Sequence, residues 1–240
     1  MTLAELKRAA SEGVREAQYV LGFLHENGLG CAANRTEAET WYRKAGQQGF
    51  AAAQYEMAMA TRPCVTDEQF AAALTWIRRA AEGGFWPALM TLSAWHEGGF
   101  GMPADPVESF RVALKAAEEG YVSAAREVAA MYERGRGVAP DPEKAFAWFM
   151  RAAELGDPDS AYAVGRSLQN GTGIAKDERK ALTWLAKACD MGSPWGCMAL
   201  SHIYRFGELG QPVDEKKAQQ YSVRGQELLK SRAPGSTSRK

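Results

Sequence analysis

Apolar positions in this chain recur at helical spacing, in short segments of two alternating kinds. In the first kind, AQYVLGFLHENG (17–28), numbering from Ala17 puts positions 1, 5, 8, 9 and 12 on one face at 100° per residue. Those positions hold Ala17, Leu21, Leu24, His25 and Gly28, and in AAREVAAMYERG (124–135) they hold Ala124, Val128, Met131, Tyr132 and Gly135. That face is expected to pack inside the protein. Position 6 is small in every copy (Gly22, Ala58, Ser93, Ala129, Gly165, Ser201), which lets two helices approach closely. The second kind is seen in TEAETWYRKAGQQG (36–49), EKAFAWFMRAAELG (143–156) and ERKALTWLAKACDMG (178–192).

Two landmarks show that the alternation is a repeat. Trp41, Trp76, Val112, Trp148, Trp184 and Tyr221 are spaced 35, 36, 36, 36 and 37 apart, and Gly13, Gly49, Gly84, Gly120, Gly156 and Gly192 are spaced 36, 35, 36, 36 and 36 apart. A fixed period of this length marks a solenoid built from one supersecondary unit. The reading is all-α, with helical-pair units at about 17–52, 53–87, 88–123, 124–159, 160–195 and 196–231. Residues 1–16 read as a second helix without its first, an N-terminal cap for the apolar end. The tail 232–240 is polar with Pro and Gly and is expected to be disordered.

The connections follow from local chemistry. Gly28, Gly99, Gly135 and Gly171 each open a Gly-x-Gly triplet that ends a first helix. Asn34, Asp105, Asp141 and Asp177 then cap second helices, and Asn34 with Glu37 and Asp105 with Glu108 have capping-box spacing. The second linker, TRPCVTDEQ (61–69), lacks Gly-x-Gly and is one residue short, so an irregular turn is expected there, with Thr66 and Gln69 as its cap.

With these residues in view, the pattern Ala-x-x-x-Leu-Gly…Tyr…Gly-x-Gly…Asp…Lys-Ala…Trp-Tyr-x-Lys-Ala-Ala…Gly resembles the Sel-like repeat family, relatives of the tetratricopeptide repeats. The resemblance covers roughly 1–231. It implies a right-handed α-α superhelix with first helices along its concave side, and adaptor roles in bacterial complexes. The chain departs from the pattern in the second linker, at Val112, and in a weak last helix with Leu229 where Gly is expected. Cys189 and Cys197, in ACDMGSPWGC, resemble the cysteine pair that staples each repeat of cysteine-rich secreted members. The residues leave two readings open, two buried thiols or a disulfide, and a single pair among six units with no signal peptide favours the thiols. Cys31 and Cys64 lie in different loops and look unpaired.

Positions 3, 7 and 10 of the first helices point away from the packed face. They supply Tyr19, Phe23, Tyr55, Met59 and Met90 in the first three units, with Glu26, Arg62 and Glu97, and Arg126, Tyr162, Arg166, Met198, His202 and Arg205 in the last three. Tyr, Met and Arg are interface residues, so this strip is the candidate partner-binding face. The alternative is that superhelical curvature buries it against neighbouring first helices.

Composition narrows the function classes. Hydrophobic residues make up 46% and charged residues 24%, and 29 basic side chains balance 29 acidic ones, so charge alone draws the protein to neither nucleic acid nor an anionic membrane. No stretch approaches the length of a membrane-spanning helix. The N-terminus has no signal-peptide pattern, so a natural start at Met1 implies a cytoplasmic protein and a removed signal peptide a periplasmic one. The Gly-x-Gly triplets lack the Lys-Ser/Thr of a phosphate loop. His25 and His96 occupy the position of core tyrosines in other units and read as satisfied core residues. No metal set, cofactor site, Ser-His-Asp or Cys-His arrangement is evident. The expected function is therefore a non-enzymatic scaffold, monomeric or weakly self-associating, that binds a protein or peptide. Two further readings are a dedicated inhibitor or chaperone of a toxin or secreted effector, and an enzyme on a cell-wall or β-lactam-like ligand, as suggested for cysteine-rich relatives.

Overall fold

A computed structural model describes residues 2–60 and 66–232. Its described residues form thirteen α-helices and no strand, and the chain divides into two compact units, 1–116 and 117–240. The first unit contains α1 (Leu3–Ser11), α2 (Arg15–Asn27), α3 (Arg35–Gln47), α4 (Ala51–Ala60), α5 (Asp67–Glu82), α6 (Trp86–Gly98) and most of α7 (Pro106–Glu118). The second contains α8 (Val122–Arg134), α9 (Pro142–Glu154), α10 (Pro158–Asn170), α11 (Glu178–Asp190), α12 (Pro194–Phe206) and α13 (Glu215–Arg232). Even-numbered helices are the first members of pairs, odd-numbered ones the second, and α1 stands alone before them. The architecture is an all-α solenoid of helical pairs.

The first helices start two residues ahead of the Ala17 register, at Arg15, Ala51, Trp86, Val122, Pro158 and Pro194. Residues with little helix preference bring that about: a side-chain cap at Asp157 and Ser193 holds the next turn, and Pro158 and Pro194 sit where a missing N–H costs nothing. At their other ends, Gly28, Gly99, Gly135, Gly171 and Gly207 are left-handed. Gly173, two residues past one such end, is required for another reason as well. A Cβ there would overlap the carbonyl oxygen of Pro142 in α9.

Asn34, Asp105, Asp141 and Asp177 each accept a hydrogen bond from a backbone N–H three residues on. Two of the expected capping boxes are only half formed. Glu37 instead accepts from the Trp41 indole, 3.1 Å, and Glu108 pairs with Arg111. Thr66 and Gln69 do form the full box. The irregular turn expected over 61–65, with Arg62 and Cys64, and the tail from 233 lie outside the described residues. Helix α13 lacks the closing glycine and runs on to Arg232, whose guanidinium reaches Asp159 and the Gly192 carbonyl, each at 3.0 Å.

The core sits in the joints between successive helices. Leu6, Ala10, Ala17 and Leu21 form one cluster with Leu24 and Trp41 against it. Ala38, Tyr42, Ala45, Ala53 and Met57 form another, joined by Tyr19, Phe50 and Trp76. Each large side chain so buried is worth roughly 1.5–3 kcal/mol. All six position-6 residues are buried, and a Cβ on Gly22 would stand 2.7 Å from the Tyr42 ring.

Position 2 of the first helix was not foreseen as core, yet it is buried in every pair. It faces the residue eight places earlier across the corner, and three chemistries close that corner. Gln18 donates its amide to the Ala10 carbonyl at 3.1 Å, and Gln54 to Gly46 at 2.9 Å. Ala161 and Ala153 meet as small apolar residues. Cys189 and Cys197 are joined as a disulfide, with Cα atoms 4.6 Å apart. Of the two readings left open by the sequence, the structure takes the bonded one.

Candidate functional site

Three of the six position-3 residues, two in the first unit and one in the second, are not free outward residues. Tyr19 of α2 lies 5.6 Å from the Tyr42 ring and 5.1 Å from Phe50, and Tyr55 of α4 lies 5.4 Å from Phe85. In the second unit Arg126 of α8 pairs with Asp157 at 3.1 Å and reaches Asp159 at 3.9 Å. Phe50, Phe85 and Asp157 each immediately precede the next first helix. Tyr19, Tyr55 and Arg126 thus clamp one pair to the start of the following pair, by aromatic contact or by an ion pair. This corrects the expectation that position 3 is free of its own pair, since Tyr42 belongs to α3. The alternative of burial between neighbouring pairs describes Tyr19 and Tyr55, which are partly buried, while Arg126 stays exposed and is held by its ion pair. Met90 is half-buried at the same position. Met198, 37% exposed, is the most open hydrophobic residue there.

Several residues at positions 7 and 10 are exposed or line clefts. Phe23 is 44% exposed. Met59 lines a cleft of about 260 Å³ with Glu26, Arg35, Glu39, Tyr42 and Glu56. The Tyr42 hydroxyl donates to the Glu26 carboxylate at 2.7 Å, and burial together with that bond pushes its ionisation well above the usual phenol range. Burial also raises Glu56, and the nearby Glu26 carboxylate adds to it. The first unit therefore presents an acidic, aromatic and thioether-lined surface.

The second unit presents a different one. Arg166 of α10 donates to the Tyr162 hydroxyl at 2.9 Å, and its guanidinium lies over the ring. Tyr162, Arg166 and Asn170 line two clefts, of about 320 and 360 Å³. Gln169, Ala199, His202 and Glu208 complete one, and Glu133, Phe149 and Thr172 belong to the other. His202, which shows no partner in the sequence, packs tilted against Phe206 at 4.6 Å and places Nδ1 3.3 Å from Glu208. Arg205 is exposed beside them.

Two further corrections concern chemistry. His96 is not a satisfied core residue, for its buried Nδ1 has no hydrogen-bond partner among the described residues. The free thiol of Cys31 lies 3.6 Å from His25 Nδ1, a Cys-His contact that the sequence separates by a loop. The same sulfur is directed at the Leu24 carbonyl, 3.7 Å away. Among the described residues no His, Cys, Asp and Glu cluster could hold a metal ion, and no helix is long and apolar enough to cross a membrane.

With this geometry in place, the comparisons can be stated. The Sel1 repeat profile matches residues 15–50, 51–85, 86–121, 122–157, 158–193 and 196–222, two residues ahead of the first five unit starts read from Ala17. A solved structure of a protective antigen of uropathogenic Escherichia coli, displaying the same repeat fold, superposes with a TM-score of 0.86 at 28% identity, over 95% of this chain and 49% of that one. A Sel1 repeat protein from Oxalobacter formigenes superposes at 0.74, also at 28% identity, over 94% of this chain and 88% of its own. Chitin synthase regulatory factor 3 of Schizosaccharomyces pombe is 46% identical over 43 residues, 18% of this chain. The chain spans 5% of that curated relative's length and about half that of the Escherichia coli antigen.

Proposed function

The chain belongs to the Sel1 repeat family, whose scaffolds generally mediate protein–protein interaction and are generally not catalytic, and we propose that it is an adaptor that holds a protein or peptide on its first-helix face. The observation that carries this reading is the Tyr162–Arg166 wall, shared by two open clefts on α10. An arginine tied to a neighbouring tyrosine hydroxyl by a hydrogen bond has less conformational freedom left to lose, which is the property of a binding anchor. In the first unit, Phe23 and Met59 with the Glu26 and Glu56 carboxylates suit a segment with apolar and basic side chains. Position 3 contributes shape there, since its residues are already used in holding pairs together.

The test is capture with residue-mapped cross-linking, comparing the wild type with Phe23→Glu, Met59→Glu and Arg166→Glu combined. Expected is a loss of at least tenfold in partner affinity, about 1.4 kcal/mol, with helicity and melting unchanged. Equal capture by the triple variant sinks the first-helix version.

A further inference from the structure

Five second helices carry an aromatic residue at one register position, Trp41, Trp76, Trp148, Trp184 and Tyr221, and the third pair carries Val112. At Trp41, Trp76 and Tyr221 the ring plugs the joint between one closing helix and the next first helix. Trp41 packs on Leu6, Ala10, Ala17 and Leu21, and the Trp76 ring comes within 3.2 Å of where a Gly46 side chain would begin. A cation three residues on covers the ring. Lys44 stands 3.9 Å from the Trp41 centroid, Lys187 4.3 Å from Trp184, Arg151 5.0 Å from Trp148 and Arg79 5.5 Å from Trp76.

The third pair keeps the receptacle and lacks the ring. Ala81, Leu89 and Leu92 stand two repeats after Ala10, Gln18 and Leu21, and with Val112 they line a cleft of about 500 Å³. That size falls within the range of ligand pockets. Lys115, the counterpart of Lys44, lines the same cleft, and among the described residues it has neither ring nor carboxylate to meet. The rim carries both signs, Arg78 and Arg111 against Glu82, Asp105 and Glu108, so it selects no simple ion.

We propose that this cleft takes an aromatic side chain, an indole in particular, from a bound polypeptide, so that a partner supplies the ring the repeat omits and Lys115 covers it. The site is separate from the first-helix face, because its α6 residues are at positions 2, 5 and 9. It stands or falls independently of that face, since a small probe reports on it without any partner.

The probe is N-acetyl-L-tryptophanamide, titrated into the full chain and followed by the methyl resonances of Leu89, Leu92 and Val112. Saturable shifts confined to this cleft are expected, with a dissociation constant of the order of 1 mM. Val112→Trp fills the cleft from within and should abolish the shifts while raising the melting temperature. Lys115→Ala, an exposed change that leaves the fold alone, should weaken binding about two- to fivefold. Three results overturn the proposal: no saturable shift at the cleft, equal binding of N-acetyl-L-leucinamide, or tighter binding of free tryptophan than of the blocked amide.

Discussion

Breaking the Cys189–Cys197 bond offers a measurement in which the structure removes most confounding effects. The perturbation is either reduction or the double change Cys189→Ala with Cys197→Ala. Both cysteines are fully buried at the corner between α11 and α12. The same corner elsewhere in that unit is filled by Ala117 with Ala125 and by Ala153 with Ala161, all buried. An alanine pair is thus already an accepted solution at this geometry, and the double variant should leave no strained neighbour. What is lost is the cross-link. A bridge spanning eight residues constrains the unfolded chain by about 2.5 kcal/mol on the loop-entropy relation. With a urea dependence of roughly 1–3 kcal/mol per molar, the unfolding midpoint should fall by about 0.8–2.5 M. The assay is urea unfolding followed by helicity, with and without dithiothreitol, for wild type and double variant. The reduced wild type and the untreated variant should coincide, and the variant should not respond to dithiothreitol. Identical midpoints in all four samples, or rapid alkylation of both thiols in the untreated native protein, would refute the reasoning.

The remaining predictions use the same contacts. Gln54→Ala removes the amide that Gly46 accepts and should cost about 1 kcal/mol by thermal melting, because the Gly49 N–H still serves that carbonyl. Glu56 titrates above the ordinary carboxylate range when folded, so its burial costs nothing below about pH 4 and is felt as pH rises through the raised value. Glu56→Gln should therefore match wild type in acid and gain on it toward neutral pH, and a gain confined to acid would contradict the shift. Gly173→Ala combines a left-handed backbone (φ +72) with overlap on Pro142, and should cost more than 1 kcal/mol where an alanine in a helix interior would normally stabilise.

The sequence alone determined the period, the fold class and the turn chemistry. Those depend on interactions within a few residues: an aspartate reaching a backbone N–H three places on, a glycine taking a left-handed turn, an apolar face at 100° per residue. The aromatic ruler even exposed its own exception at Val112, although nothing local said that the gap would stay open. Tertiary structure decided the rest. Tyr19, Tyr55 and Arg126 lie on the outward face by helical angle, yet a residue 30 or 31 places away contacts each. Angle on one helix cannot register a neighbour that arrives from the next pair. The corner at position 2 was hidden for the same reason, since glutamine, alanine and cysteine share no pattern there and share only the place they occupy. The proposed site, Phe23 and Met59 in one unit and Arg166 in the other, lies at position 7 of the first helices, apart from those joints.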